Sequence, residues 1–206
     1  MIEDNVTVLF QGDSITDANR DRGNAAGMGS GYAMMTAAWF SASHPGKKVS
    51  FMNRGVSGDR AKDLVARWRP DCLDLKPSMV SIMIGINDVW RRYDGNDPTS
   101  PEDFERDYRF ILDQTVRSGA KLVLLEPFVL PVPEDRKRWR EDLDPKISVV
   151  HGLAKEFGAI LVPLDRLFME ACRSRPPEFW AADGVHPSPA GHALISQAWL
   201  SAVKAL

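Results

Sequence analysis

A serine and a histidine lie far apart in the sequence, each in a setting that suits covalent catalysis. Ser14 ends the tripeptide Gly-Asp-Ser at 12–14, directly after the apolar run 6–10. His186 follows Asp183 by three residues, across a glycine. An aspartate at this spacing can accept from the imidazole Nδ1–H, which leaves Nε2 free to take a proton. Because serine needs a base to become a good nucleophile, these segments predict Ser14 as the nucleophile and His186 as its base.

Two further segments supply donors for a developing oxyanion. Asn87 lies in the run Gly-Ile-Asn-Asp at 85–88, which follows an apolar stretch and would project an amide from its end. Gly55 lies in the run 53–58, where a glycine lets a backbone N–H approach a ligand closely. Asparagine and glycine are also common turn residues, so neither segment is specific alone. Their joint occurrence with Ser14 and His186 predicts an oxyanion hole.

The remaining histidines have simpler interpretations. His44 precedes a proline at a predicted helix end, and His151 lies in a charged amphipathic segment, so both are expected at the surface. Asp183, His186 and His192 together could form a metal site, but they lack a fourth ligand. We therefore predict no metal and no other cofactor.

The elements that must position these residues alternate along the chain. Short apolar runs typical of strands buried on both faces occur at 6–10, 49–52, 80–84, 122–125 and 160–162. Helix-length segments lie between or after them at 32–42, 60–75, 102–117, 145–157 and 189–206. This alternation predicts an α/β fold, a three-layer flavodoxin-like sandwich with a five-stranded parallel sheet, formed by residues 1–206 as a single domain. The loops that follow the strands would gather at the carboxyl edge of that sheet.

Composition excludes several classes of protein. The net charge of −2 and pI near 6.1 show no basic excess of the kind that nucleic-acid and anionic-membrane binding require. The longest apolar run is too short to cross a bilayer. An acidic N-terminus and two cysteines a hundred residues apart favour a cytoplasmic protein with reduced thiols.

Taken together, these blocks resemble those of the SGNH hydrolases, also called the GDSL esterase/lipase family. The blocks are Gly12-Asp13-Ser14, Gly55, Gly85-x-Asn87-Asp88 and Asp183-x-x-His186, in the family's order over residues 8–192. Ile15 stands where the family name has leucine, a mild variation beside the nucleophile. No Gly-x-Ser-x-Gly elbow is present, which disfavours the α/β-hydrolase fold.

The resemblance implies two-step acyl transfer with no cofactor. Ser14 would attack an ester carbonyl, His186 would serve as general base, and Asp183 would orient it. The N–H groups of Ser14 and Gly55 and the side chain of Asn87 would form the oxyanion hole. The partner is a small-molecule ester.

The substrate is inferred from the composition of the loops. The loop 17–24 is polar and charged rather than apolar, and aromatic residues lie close to the predicted site. We expect Asp13, Trp90 and Trp180 to contact the substrate, although both tryptophans could equally pack the loops. The loops resemble those of intracellular carbohydrate acetylesterases, which implies a small acyl group on a sugar-like alcohol such as acetylated xylo-oligosaccharide. The charged stretch 134–142, with Trp139, is expected to be a solvated or subunit-facing loop.

Other functions stay open at this point. A broad-specificity short-chain esterase is the main alternative, followed by a thioesterase or lysophospholipase. A non-catalytic nucleotide-binding module is disfavoured, because the glycines at 27–31 lie well beyond the first strand and form no phosphate-binding fingerprint. The resemblance also implies a homo-oligomer.

Overall fold

Five parallel strands form the sheet in a computed structural model that describes residues 2–205. They run in the spatial order β2-β1-β3-β4-β5 and comprise β1 (Val6–Gly12), β2 (Val49–Asn53), β3 (Met79–Met83), β4 (Lys121–Leu125) and β5 (Ile160–Val162). Each strand contains or overlaps a predicted apolar run, so the predicted five-stranded parallel sheet is confirmed. All neighbouring strands pair in parallel, which brings their carboxyl ends to one edge.

The helices cover both faces of this sheet. They are α1 (Ser14–Asp17), α2 (Tyr32–Ser43), α3 (Ala61–Asp71), α4 (Ile86–Asp94), α5 (Pro101–Arg117), α6 (Arg140–Glu156), α7 (Leu164–Ala171), α8 (Pro177–Trp180) and α9 (Pro189–Ala202), with 3-10 turns at Leu73–Leu75 and Glu134–Trp139. α5 begins one residue before the predicted segment 102–117, with Ser100 Oγ accepting from the Asp103 N–H and a proline in the first turn. The predicted last helix ends at Ala202, and Leu206 lies outside the described residues.

Strand alternation separates two apolar cores. Val8 and Phe10 face the side covered by α2 and α9, whereas Leu9 faces the side covered by α3, α5 and α6. Trp199 on α9 is fully buried, and its indole N–H donates to Ser81 Oγ on β3 over 2.9 Å. This bond satisfies the one polar atom of a large core side chain.

The stretch 134–142 corrects a sequence prediction. The sequence predicted a solvated or subunit-facing loop, whereas the stretch forms a 3-10 turn followed by the first turn of α6, which begins five residues before the predicted start at Pro145. Most of its charged side chains are exposed, as predicted. Trp139 is fully buried and stacks on Tyr93, with ring centroids 5.2 Å apart. The burial of Trp139 could not be predicted from the sequence, because a single buried residue among charged neighbours produces no periodic apolar pattern.

Among the helices within residues 2–205, none combines the length and the apolar character that crossing a bilayer requires.

Candidate active site

Ser14 lies at the carboxyl edge, one residue beyond the buried Asp13 that follows β1. Asp13 is the N-cap of α1, and its Oδ1 accepts from the Ile15 N–H over 3.0 Å. Its side chain is only 1% exposed, and burial raises its pKa to about 7. The expected contact between Asp13 and the substrate is therefore wrong, because this carboxyl caps the short helix that carries Ser14 and does not face solvent.

The structure brings Ser14, His186 and Asp183 into one hydrogen-bonded chain. Ser14 Oγ lies 2.9 Å from His186 Nε2, and His186 Nδ1 lies 2.6 Å from Asp183 Oδ2. The other carboxylate oxygen of Asp183 accepts from the backbone N–H groups of Val185 and His186, over 3.0 and 2.7 Å. The backbone of the turn 183–186 therefore holds the Asp183 carboxylate, and that carboxylate in turn orients the His186 ring.

The hydrogen bond between Asp183 and His186 lowers the pKa of the aspartate and raises the pKa of the histidine. Burial disfavours the charged form of Asp183, but the hydrogen bonds from His186 and Val185 outweigh it and hold the pKa of Asp183 well below its usual range. The same hydrogen bond from the ring to Asp183 raises the pKa of His186 above its ordinary value. An ionised aspartate therefore stabilises imidazolium, which is the charge that a general base acquires.

Gly184 makes the turn between Asp183 and His186 possible. Its φ is +80°, and a Cβ atom there would lie 2.1 Å from the Val132 carbonyl oxygen. Its own carbonyl accepts from the Leu130 N–H over 2.8 Å. The loop after β4 therefore fixes the Asp-His segment by close backbone contact that only glycine permits.

Asn87 lies in the first turn of α4, immediately after β3. Its side chain is almost fully buried, and one amide N–H donates to the Asp59 carbonyl oxygen over 3.0 Å. A side-chain amide has two N–H donors, so the second remains for a ligand. The sequence predicted no helix between residues 75 and 102, yet 86–94 is helical and Asn87 lies in its first turn.

Gly55 does not offer a free N–H. Its N–H donates to Asn53 Oδ1 over 2.8 Å, and a Cβ atom there would lie 2.3 Å from the Asp17 backbone nitrogen. The assignment of Gly55 to the oxyanion hole is therefore wrong, since its donor is already used and its Cα packs against α1. Gly58 differs: it has φ +91°, open space around it, and an N–H without a hydrogen-bond acceptor among residues 2–205. The sequence did contain this second candidate for a backbone donor, because the run 53–58 ends in a second glycine, Gly58, directly before Asp59.

A cavity of about 530 Å³ opens beside Ser14. This volume falls in the range of small-molecule sites. Polar and apolar surfaces both line it, and the lining comprises Ser14, Ile15, Ala18, Asn19, Ser30, Ser57, His186, Pro187, Pro189 and His192.

The two predicted substrate-binding tryptophans lie outside this lining. The Trp90 ring packs 5.9 Å from the ring of His186, and the Arg136 guanidinium covers it at 5.1 Å. Trp180 packs edge-on against Phe179 and against the core, and its indole N–H is buried. The structure therefore places Trp90 beside the Ser14–His186 pair but does not bring Trp180 into the cavity.

A metal site is not assembled from the part of the chain that the structure describes. No three His, Cys, Asp or Glu side chains within residues 2–205 converge in a way that could hold an ion. His192, considered with Asp183 and His186, turns its Nδ1 to the Tyr32 N–H instead.

Comparison with known proteins agrees with this geometry. A sequence profile of the GDSL-like lipase/acylhydrolase family matches residues 10–194. An acetylxylan esterase of Geobacillus stearothermophilus is 35% identical over 94% of this chain and 91% of its own length. A thioesterase 1/protease 1/lysophospholipase L1 of Escherichia coli is 29% identical over 88% of this chain and 76% of its own length.

Solved structures give the same assignment. A catalytic mutant of an acetylxylan esterase from Geobacillus stearothermophilus, with a serine replaced by alanine, superimposes with a TM-score of 0.91 at 32% identity. The match covers 98% of this chain and 95% of that one. From the family profile, the relatives and the shared fold, we conclude that the chain belongs to the GDSL-like lipase/acylhydrolase, or SGNH hydrolase, family and is a serine carboxylic ester hydrolase.

Proposed function

We propose that this protein removes an acetyl group from a carbohydrate-like alcohol, such as an acetylated xylo-oligosaccharide, through an acyl-serine intermediate. The observation that carries the proposal is the hydrogen-bonded chain Ser14–His186–Asp183, which opens onto a cavity that serine, asparagine and histidine side chains help to line.

In the first step Ser14 Oγ bonds to the ester carbonyl carbon while its proton passes to His186 Nε2. The tetrahedral intermediate then collapses, the carbon–oxygen bond to the alcohol breaks, and His186 returns the proton to the leaving alcohol oxygen. Water, deprotonated by the same nitrogen, then attacks the acetyl carbon of the acetyl-serine. The bond from that carbon to Ser14 Oγ breaks, acetate leaves, and His186 returns the proton to Oγ. Asp183 holds the Nδ1–H tautomer and stabilises the imidazolium in both steps.

The negative charge on the carbonyl oxygen needs fixed donors. We assign three: the N–H groups of Ser14 and Gly58 and the second amide N–H of Asn87. Neither backbone N–H has an acceptor among residues 2–205. Asn87 is anchored by Asp59, next in sequence to Gly58, so one short loop holds two of the donors together.

Support for a small acyl group and a polar alcohol comes from the cavity lining. A long acyl chain would need an extended apolar channel, whereas six of the ten lining residues are serine, asparagine or histidine. The relative named as an acetylxylan esterase supports the same substrate class, and the relative named as a thioesterase and lysophospholipase supports the alternative of longer acyl chains.

Steady-state hydrolysis of 4-nitrophenyl esters from acetate to decanoate, followed by acetylated xylo-oligosaccharide, tests the proposal. We expect a maximum at acetate, release of acetate from the oligosaccharide, and loss of turnover in Ser14→Ala by about four orders of magnitude or more. A maximum at decanoate would replace the acetylesterase by a long-chain acylhydrolase. Unchanged turnover in Ser14→Ala would overturn the assignment of the nucleophile.

We also propose that residues 1–206 form one domain, that the protein is cytoplasmic and that it assembles as a homo-oligomer. Both apolar cores pack on the two faces of one sheet, which supports the single domain. Light scattering coupled to size-exclusion chromatography measures the mass in solution, and the 23.0 kDa of one chain would contradict the oligomer.

A further inference from the structure

His192 shares the cavity with Ser14 but has no part in the Ser14–His186–Asp183 chain. It lies in the first turn of α9, is half-buried, and lines the space next to Ser14, Ser30 and Ser57. Its position raises the question of which of its ring nitrogens faces a ligand.

One hydrogen bond determines the tautomer of this ring. His192 Nδ1 lies 3.2 Å from the Tyr32 backbone N–H, at the start of α2. A backbone N–H can only donate, so Nδ1 must be the acceptor and the neutral ring carries its proton on Nε2. Burial, with a smaller contribution from His186, lowers the pKa of His192 to about 4. The ring is therefore neutral at the pH where His186 can act as a base.

The Nε2–H of His192 has no acceptor among residues 2–205, and it is not among the buried atoms that lack a partner. Two neighbouring hydroxyl groups have the opposite character. Ser30 Oγ donates to the Ala18 carbonyl oxygen over 3.1 Å, and Ser57 Oγ donates to Asp17 over 3.0 Å. Their protons are used, so their oxygens can only accept. The cavity thus presents one fixed donor and two acceptors, which is the complement of an alcohol hydroxyl group.

We propose that His192 Nε2–H donates a hydrogen bond to a free hydroxyl oxygen on the alcohol moiety of the substrate, and that Ser30 or Ser57 accepts from that moiety. His192 is then a specificity residue that selects polyol esters over plain alkyl esters. This inference rests on the proposed ester hydrolysis but does not require that the alcohol be xylose.

A pair of amide substitutions separates this role from the structural role of His192 at α2. In His192→Asn, the amide oxygen replaces Nδ1 as acceptor for Tyr32 but cannot place a donor at the Nε2 position. In His192→Gln, the longer amide can place an N–H near the Nε2 position. The substrates are glyceryl monoacetate and propyl acetate, which have the same carbon chain and differ in their hydroxyl groups.

We expect wild type to prefer glyceryl monoacetate in kcat/KM, and His192→Asn to lose about tenfold on it, the value of one uncharged hydrogen bond. Propyl acetate hydrolysis should change by less than about twofold in the same variant. His192→Gln should recover part of the preference. Circular dichroism and the Tm of each variant show whether the fold is retained.

Equal losses on both esters, or an undiminished preference in His192→Asn, would overturn the inference. So would the absence of any preference in wild type. If wild type discriminates through His192 but releases no acetate from xylo-oligosaccharide, the saccharide in the proposed function is wrong and the inference stands. If it hydrolyses no ester, both are overturned.

Discussion

At the scale of single residues, the chemistry depends on charges and donors that are already in place. Asp183 is ionised and hydrogen-bonded to His186. The Asn87 side chain donates one amide N–H to the Asp59 carbonyl oxygen and has a second N–H available for a ligand. Such preorganisation avoids reorganisation when charge develops in the transition state.

Asp183→Asn should alter the pH dependence as well as the rate. His186 acts as a base only when neutral, and Asp183 raises its pKa, so wild-type activity is lost as pH falls through that raised value. Removing the carboxylate should move the acid limb of the kcat/KM profile to lower pH. It should also reduce kcat by about 10⁴, because the tautomer is no longer held. An acid limb that stays in place would show that another group controls it.

Asn87→Ala should remove one oxyanion donor. We expect kcat for 4-nitrophenyl acetate to fall by about 10²- to 10³-fold with a much smaller change in KM, because this donor acts chiefly on the transition state. Asp88→Asn is the neighbouring control, since the Asp88 side chain caps α3 by accepting from the Ala61 N–H and does not face the cavity. A loss confined to KM would assign Asn87 to substrate binding instead.

At the scale of elements, one buried side chain joins three loops at the carboxyl edge. Asn53, at the end of β2, donates through Nδ2 to the carbonyl oxygens of Thr16 and Met28, over 2.6 and 2.9 Å. Its Oδ1 accepts from the Gly55 N–H. The turn after Ser14, the loop before α2 and the loop before Gly58 are therefore fixed relative to one another.

Asn53→Asp should destabilise the protein although the two side chains have nearly the same shape. The carboxylate would keep its acceptor for Gly55 but would direct an oxygen at two carbonyl oxygens in a fully buried place. We expect a loss of about 3 kcal/mol or more in the free energy of unfolding, measured by urea titration. Asn24→Asp is the matched control, because Asn24 is exposed and its Oδ1 accepts from the Ala26 N–H, a role that a carboxylate keeps. Equal stability of the two variants would show that the hydrogen bonds of Asn53 do not hold the three loops together.

At the scale of the whole molecule, a buried ion pair lies within α6, and an arginine of α4 approaches it. Lys146 is fully buried, and its Nζ lies 3.1 Å from Asp142 Oδ1, one turn earlier on α6. Arg92 on α4 approaches the same oxygen at 3.6 Å. Because α4 carries Asn87, this contact links the packing of α6 to the candidate oxyanion site.

Lys146→Met should destabilise the protein by about 3–5 kcal/mol, because Asp142 would lose its nearest compensating charge in a buried place. The double variant Lys146→Met with Asp142→Leu should recover most of that loss, since both desolvated groups are then removed. Urea unfolding of the two variants checks this. If the double variant is no more stable than Lys146→Met, the destabilisation does not come from the unpaired charge of Asp142, and the prediction is contradicted.

The positions of the strands and the chemistry of the main catalytic candidates could be predicted from the amino-acid sequence. Apolar runs such as 80–84, alternating with helical segments, are typical of parallel strands buried on both faces, and a parallel sheet brings distant loops to one edge. Once Ser14 and Asn87 follow neighbouring strands, their proximity is a consequence of topology. The Asp183–His186 contact is local, so spacing alone predicted it.

Features that depend on contacts between loops could not be predicted in this way. Gly55 and Gly58 are equivalent in sequence terms, but Asn53 uses the N–H of the first and leaves that of the second. The polar settings of Asp13 and Trp139 suggested exposure, yet packing buries both. Residue types and their spacing can be read from the chain, but hydrogen-bond partners and burial exist only in the assembled fold. For this reason the sequence identified the catalytic chemistry but not every oxyanion donor.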